Sequence, residues 1–111
     1  MLERLNAYRT MWLMVLYDLP TLTKRQRNNA NKFRQKLLEN GFTMFQFSSY
    51  IRHVTSYEQS ETQKRKIRSI IPPEGLIGVL EITDKQFERM ELYYCKSKVK
   101  LLDGPQQLEL F

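Results

Sequence analysis

Cysteine and histidine are nearly absent: the 111 residues include one of each, Cys95 and His53. A single cysteine excludes an internal disulfide and agrees with a reducing compartment. One cysteine and one histidine also exclude a closed Cys/His zinc site within one chain. Long apolar runs are missing too. The longest, Met11 to Tyr17, is strand-sized, far short of the roughly 20 residues a membrane helix needs. Glu3, Arg4, Asn6 and Arg9 precede that run and no small-residue cleavage site follows it, so a secretory leader is not expected. The expectation is a soluble, cytoplasmic protein without membrane contact. Internal repeats, a glycine-rich phosphate loop and the aromatic signature of RNA-recognition modules are also absent. A chain of 111 residues predicts one domain around a small core, spanning residues 1–111.

Acid is scarce where base is plentiful. Residues 1–71 hold 13 Lys/Arg against 5 Asp/Glu, a net of +8, whereas residues 72–111 hold 5 against 7, a net of −2. A basic front half suits a polyanion-facing surface, and the acidic stretch from Glu81 to Glu91 suits a protein partner. A merely solvated surface is the competing reading of the same charges.

Met11 to Tyr17, bounded by Asp18-Leu19-Pro20, has the continuous apolar pattern of a central strand buried on both faces. Pro20 stops it. Thr21 or Thr23 can cap a helix running to about Asn40, with Ala30, Phe33 and Leu37 on its apolar stripe. Gly41 ends that helix. Strands are predicted at 42–46 and 49–54. A capping box at Thr55-Ser56-Tyr57-Glu58 opens a second helix, which begins acidic and ends in Lys64, Arg65, Lys66 and Arg68 before Pro72-Pro73. A fourth strand covers 76–82. Thr83 to Gln86 then caps a short helix carrying Phe87, Met90 and Leu92. The tail ends in an alternating segment with Leu108, Leu110 and Phe111. The order is that of an α+β, ferredoxin-like βαββαβ domain with an extra C-terminal strand. The core spans about 11–93 and a partner-contacting segment about 94–111. Both long helices fall on one face of the sheet. The other face, with Trp12, Met14, Leu16, Gly78, Leu80 and Ile82, is left bare and calls for a two-fold dimer.

The first helix carries Arg25, Lys32 and Lys36 on one ridge and Arg27 and Arg34 on another, matched only by Glu39. Two such ridges suit the spaced phosphates of a nucleic-acid backbone; a solubilising coat is the alternative. Asp18 closes the first strand. There it either holds a divalent cation or bonds local backbone in an Asp-x-Pro turn. One carboxylate makes a poor metal site, and a two-fold axis would bring in a second. His53 reads as a surface residue at a strand end, with a general base as the alternative. Cys95 reads as structural. Phe42, Phe45, Phe47 and Tyr50 read as core rather than as a base-stacking platform.

Tyr17-Asp18-Leu19-Pro20, Arg25-x-Arg27 and Gly41-Phe42-x-x-x-Gln46-x-Ser48-x-Tyr50 together resemble the small adaptation protein of CRISPR systems, the Cas-two family. Ile82-Thr83-Asp84-Lys85-Gln86-Phe87 resembles the family's end of strand four. The sequence departs at Met44, where many members carry a basic residue, and at Ser49, where a β-branched residue is common. The resemblance implies a ferredoxin-like homodimer whose C-terminal strand crosses to the partner. It implies a metal-dependent endonuclease (endoribonuclease) acting on RNA or DNA, with Asp18 as the catalytic residue and ligand of Mg2+ or Mn2+. It also implies a central scaffold for spacer integration that binds double-stranded DNA and the CRISPR integrase subunit. The family's helix arginines fall on Arg25 and Arg27, and a substrate contact falls on Tyr50. Three readings stay open: a nucleic-acid-binding scaffold for which cleavage is dispensable, a metal nuclease, and a stand-alone ferredoxin-like toxin ribonuclease.

Overall fold

The computed structural model describes residues 11–94 and 97–99; Cys95 and the expected tail strand with Leu108, Leu110 and Phe111 lie outside them. Strand β1 (Met11–Asp18) is central, as its apolar run requires. Thr23 caps α1 (Lys24–Glu39) through a reciprocal box. The Gln26 backbone N–H donates to Thr23 Oγ1 at 3.1 Å, and the Thr23 N–H donates to Gln26 Oε1 at 3.0 Å. Strands β2 (Thr43–Gln46) and β3 (Ser49–Val54) form a hairpin. Ser56, one residue later than the spacing suggests, caps α2 (Tyr57–Arg68). The Gln59 N–H donates to Ser56 Oγ at 3.0 Å, and Gln59 Oε1 in turn accepts from the Thr55 N–H at 2.7 Å. Strand β4 (Leu76–Thr83) runs directly into α3 (Asp84–Glu88), capped by the expected Thr83/Gln86 box. Strands β5 (Leu92–Tyr94) and β6 (Ser97–Val99) pair as a separate antiparallel ribbon.

The four main strands lie in the order β2-β3-β1-β4, all antiparallel. This is the α+β, ferredoxin-like arrangement expected from the sequence. Successive residues of β1 face opposite sides, and each side has its own core. On one side Met11, Leu13 and Val15 pack with Phe33 and Leu37 of α1, Tyr50 of β3 and Ile67 of α2. On the other, Met14 and Ile51 pack with Phe45 and with Phe87 of α3; Trp12, Ile82, Met90 and Leu92 close around them.

That second core corrects one expectation, because the outer face is not bare throughout. Helix α3 folds back over one half of it. Trp12 stacks on Phe87 with ring centroids 4.4 Å apart, and Trp12 Nε1 donates to Asp84 Oδ1 at 2.8 Å. The helix ends at Glu88, so Leu92 joins this core from β5 rather than from a longer helix. Among the described residues the other half of the face stays open, with Leu16, Leu80 and Leu76 at 41%, 47% and 75% exposure. Among the described residues, no helix is long and apolar enough to cross a membrane.

Candidate nucleic-acid interface

Asp18 is the last residue of β1 and shares the outer face with Leu16. Its neighbour Tyr17 turns inward, meeting Phe33 edge-on at 5.1 Å and stacking on Tyr50 at 6.0 Å. The anchored Tyr17 therefore leaves Asp18 exposed on the open half of the face, opposite Leu76 in β4. The loop entering β4 presses close behind it. Gly75, at a φ of 112°, sits where a Cβ would come within 2.8 Å of the Asp18 carbonyl oxygen and 2.5 Å of Leu19 Cδ2. Only glycine meets both demands without strain. The Asp18 carboxylate accepts no hydrogen bond among the described residues, so the local turn bond expected of an Asp-x-Pro sequence is not made.

Among the described residues, no group of three His, Cys, Asp or Glu side chains could hold a metal ion. One chain offers a single free carboxylate at this point, and a cation would need donors from elsewhere. His53 does not supply them. It pairs with Trp12, at the opposite end of β1 from Asp18, and lies exposed against that indole with rings 4.8 Å apart.

The five cations expected on α1 divide into two groups. Arg25 and Lys32 are exposed and have no polar partner among the described residues. Arg27, Arg34 and Lys36 are engaged within the chain. Arg27 Nη1 donates to the carbonyls of Thr21 and Leu22, both at 3.1 Å, and so braces the loop between Asp18 and α1. Arg34 Nε donates to the Tyr50 hydroxyl at 2.8 Å. Lys36 makes a loose, exposed pair with Glu39 at 3.6 Å, which contributes little. Tyr50 itself is 1% exposed. It accepts from Arg34, and its ring stacks on Tyr17 within the inner core.

Phe42 and Phe45 are buried with Tyr50, as expected of core aromatics, whereas Phe47 is 89% exposed. It occupies the two-residue turn between β2 and β3, beside Ser48, whose φ of 62° is unusual for a side-chain-bearing residue. The Tyr17 N–H donates to the Ser48 carbonyl at 3.0 Å, tying this turn to the strand end that carries Asp18. Sequence reasoning missed Phe47 because alternation alone places it among its buried neighbours. The acidic stretch is also more committed than its charge suggests. Glu81 accepts from Ser60 at 2.5 Å and from Lys64 at 3.2 Å, Asp84 accepts from Trp12, and Glu91 accepts from Tyr93 at 2.5 Å.

A family model for CRISPR associated protein Cas2 matches residues 11–90, the span from the start of β1 through α3. The chain belongs to the Cas2 family. A CRISPR-associated endoribonuclease Cas2 from Flavobacterium psychrophilum is 53% identical over 108 residues, covering 97% of this chain and 94% of that one. One of the same name from Paracidovorax avenae is 40% identical over 107 residues, covering 96% and 99%. Among solved structures, a crystal structure of a Cas2 protein superposes with a TM-score of 0.55 at 17% identity, covering 84% of this chain and 98% of that chain. That likeness supports the Cas2 fold drawn above.

Proposed function

We propose that this Cas2-family chain works in the cytoplasm as a homodimeric, nucleic-acid-binding scaffold of CRISPR spacer integration, with the integrase subunit as its protein partner. One observation carries the reading. The open half of the outer face, with Leu16, Leu76 and Leu80, ends at an exposed Asp18 next to a helix whose Arg25 and Lys32 are unpaired. Two such faces brought together cover the apolar half, as in other symmetric dimers. The cations of both chains then form one surface for a phosphate backbone. The tail with Leu108, Leu110 and Phe111 would pair with the partner's exposed sheet edge.

A second reading, nuclease activity, is favoured by the free Asp18 carboxylate and by the endoribonuclease name that the relatives carry. A two-fold axis through the open half-face would bring two Asp18 carboxylates together to share Mg2+ or Mn2+. Such an ion, when bound, activates water and offsets charge on phosphate. Asp18→Asn separates the two readings. A scaffold keeps duplex binding, integrase binding and spacer integration in this variant. A nuclease loses metal-dependent cleavage, and loss of integration with both binding activities preserved would make cleavage the primary function.

A further inference from the structure

The last turn of α2 carries three cations that the surface described so far does not use. Bases at a helix C-terminus suit the macrodipole, and local stabilisation is the simplest role for them. Lys64, on the same helix, shows what a structurally employed cation looks like there. It sits between Glu61 and Glu81, at 3.1 and 3.2 Å. Arg65, Lys66 and Arg68 are instead exposed, and none has an ion-pair or hydrogen-bond partner among the described residues. Ile67 takes the buried side of that turn, so their three charged groups fan out over its solvent side.

Topology sets this turn at the Asp18 end of the sheet. Leu76, the first residue of β4, lies opposite Asp18, and the chain between Arg68 and Leu76 is short. That connection rests on the start of α1. Gln26 Nε2 donates to Glu74 Oε2 at 3.0 Å, and Pro72 and Glu74 line a small hollow with Leu19, Pro20, Asn29 and Ala30. The C-terminus of α2 and the N-terminus of α1 therefore lie at the same end of the sheet, bridged by the 72–74 connection. Lys24 and Arg25 from one and Arg65, Lys66 and Arg68 from the other share this end, all exposed and unpaired. Among these five side chains are three arginines, whose planar forks match phosphate oxygens.

We propose that Arg65, Lys66 and Arg68 extend the phosphate-binding surface of α1 across the Asp18 end of the sheet. A nucleic-acid backbone then crosses both helix ends instead of following α1 alone. The inference rests on the reading that this chain binds nucleic acid by its backbone. The test measures binding of the full-length protein to a fluorescent mixed-sequence duplex at several KCl concentrations, with thermal melts alongside. It compares wild type, Arg25→Ala, the triple variant Arg65→Ala/Lys66→Ala/Arg68→Ala, and Arg65→Lys/Arg68→Lys. The triple variant is expected to flatten the slope of log K against log salt by about 0.9 for each phosphate it no longer neutralises. The lysine variant, which keeps the charges, should retain the wild-type slope. If the triple variant does not fold, Arg65→Ala alone, on the side of the helix away from Ile67, is read in the same way. A lowered melting temperature with an unchanged slope would mean that the cations only stabilise the helix, and would overturn the inference. A slope that flattens for Arg25→Ala and not for the triple variant overturns this inference and leaves the proposed function standing. Absence of duplex binding by the wild type overturns both.

Discussion

The two halves of the outer sheet face share one set of strands and end differently. Trp12, Met14 and Ile82 lie under α3, sealed by Phe87. Leu16, Leu80 and Leu76, a few residues along the same strands, face solvent. The apolar pattern is equally strong in both halves, so pattern alone does not say which half the chain covers itself. What differs is reach. Helix α3 starts directly where β4 ends, at the Trp12 end of the sheet, and at five residues it is too short to extend to Asp18. The half that the described residues leave uncovered coincides with the candidate site. A second copy seated there would hide apolar surface and complete the surroundings of Asp18 in one step.

The sharpest way to break this contrast is to remove a residue from each half. Phe87→Ala should cost on the order of 3 kcal/mol, as truncation of a buried aromatic does. Urea unfolding would measure this, and Trp12 fluorescence would report exposure of its ring. Leu16→Ala should change the stability of the separated chain far less, and act on self-association instead. Equal losses of monomer stability from both substitutions would erase the distinction between the halves.

Gly75→Ala probes the junction of open face and site. The added Cβ meets the Asp18 carbonyl and Leu19 at a positive φ, so a cost of about 1–3 kcal/mol is expected. Nucleic-acid binding should weaken as the loop carrying α1 shifts. Full stability and binding in this variant would show that Gly75 does not position Asp18.

The smallest effect concerns the inner face, through pH. Burial pushes the Tyr17 hydroxyl well above its ordinary value of 10.0, with help from the nearby Tyr50 and opposition from Arg34. The fold therefore favours the neutral phenol. That contribution is complete below pH 10.0 and is lost progressively as pH rises above it. Lys64 adds a fall of the same sign starting near its ordinary 10.5. Its partial burial lowers its pKa, but hydrogen bonds to Glu61 and Glu81 and the charges of those carboxylates together raise it. Chemical unfolding between pH 9 and 11 should show Tyr17→Phe declining less steeply than wild type, with the Lys64 share remaining. Parallel curves would show that Tyr17 ionises freely in the folded chain.

Much of the fold was legible because local and global signals agree. The β1 run, the Thr83 box and Gly41 each name a boundary that the structure keeps, and of the two caps offered for α1 it takes Thr23. The site was legible in outline only. Asp18 was legible as the residue that closes β1, but the face it takes was not. Nor was the fate of the helix cations, because it depends on what lies across the sheet or loop. Arg34 is held by Tyr50 from β3, and Arg27 by carbonyls of the preceding loop. A helical wheel gives both residues the same status as Arg25. The cover over Trp12 was hidden for the same reason, since the sequence shows a short helix carrying Phe87 and not its return across the sheet.

The most direct test of the open half-face is the mass of the protein in solution. Light scattering at micromolar concentration should give twice the 13.4 kDa chain mass for the wild type. Leu80→Asp, which places a charge on the open half where it borders the covered one, should give the single-chain mass with its circular dichroism unchanged. A wild-type protein that stays at 13.4 kDa, or a folded Leu80→Asp variant that keeps the doubled mass, would contradict the account.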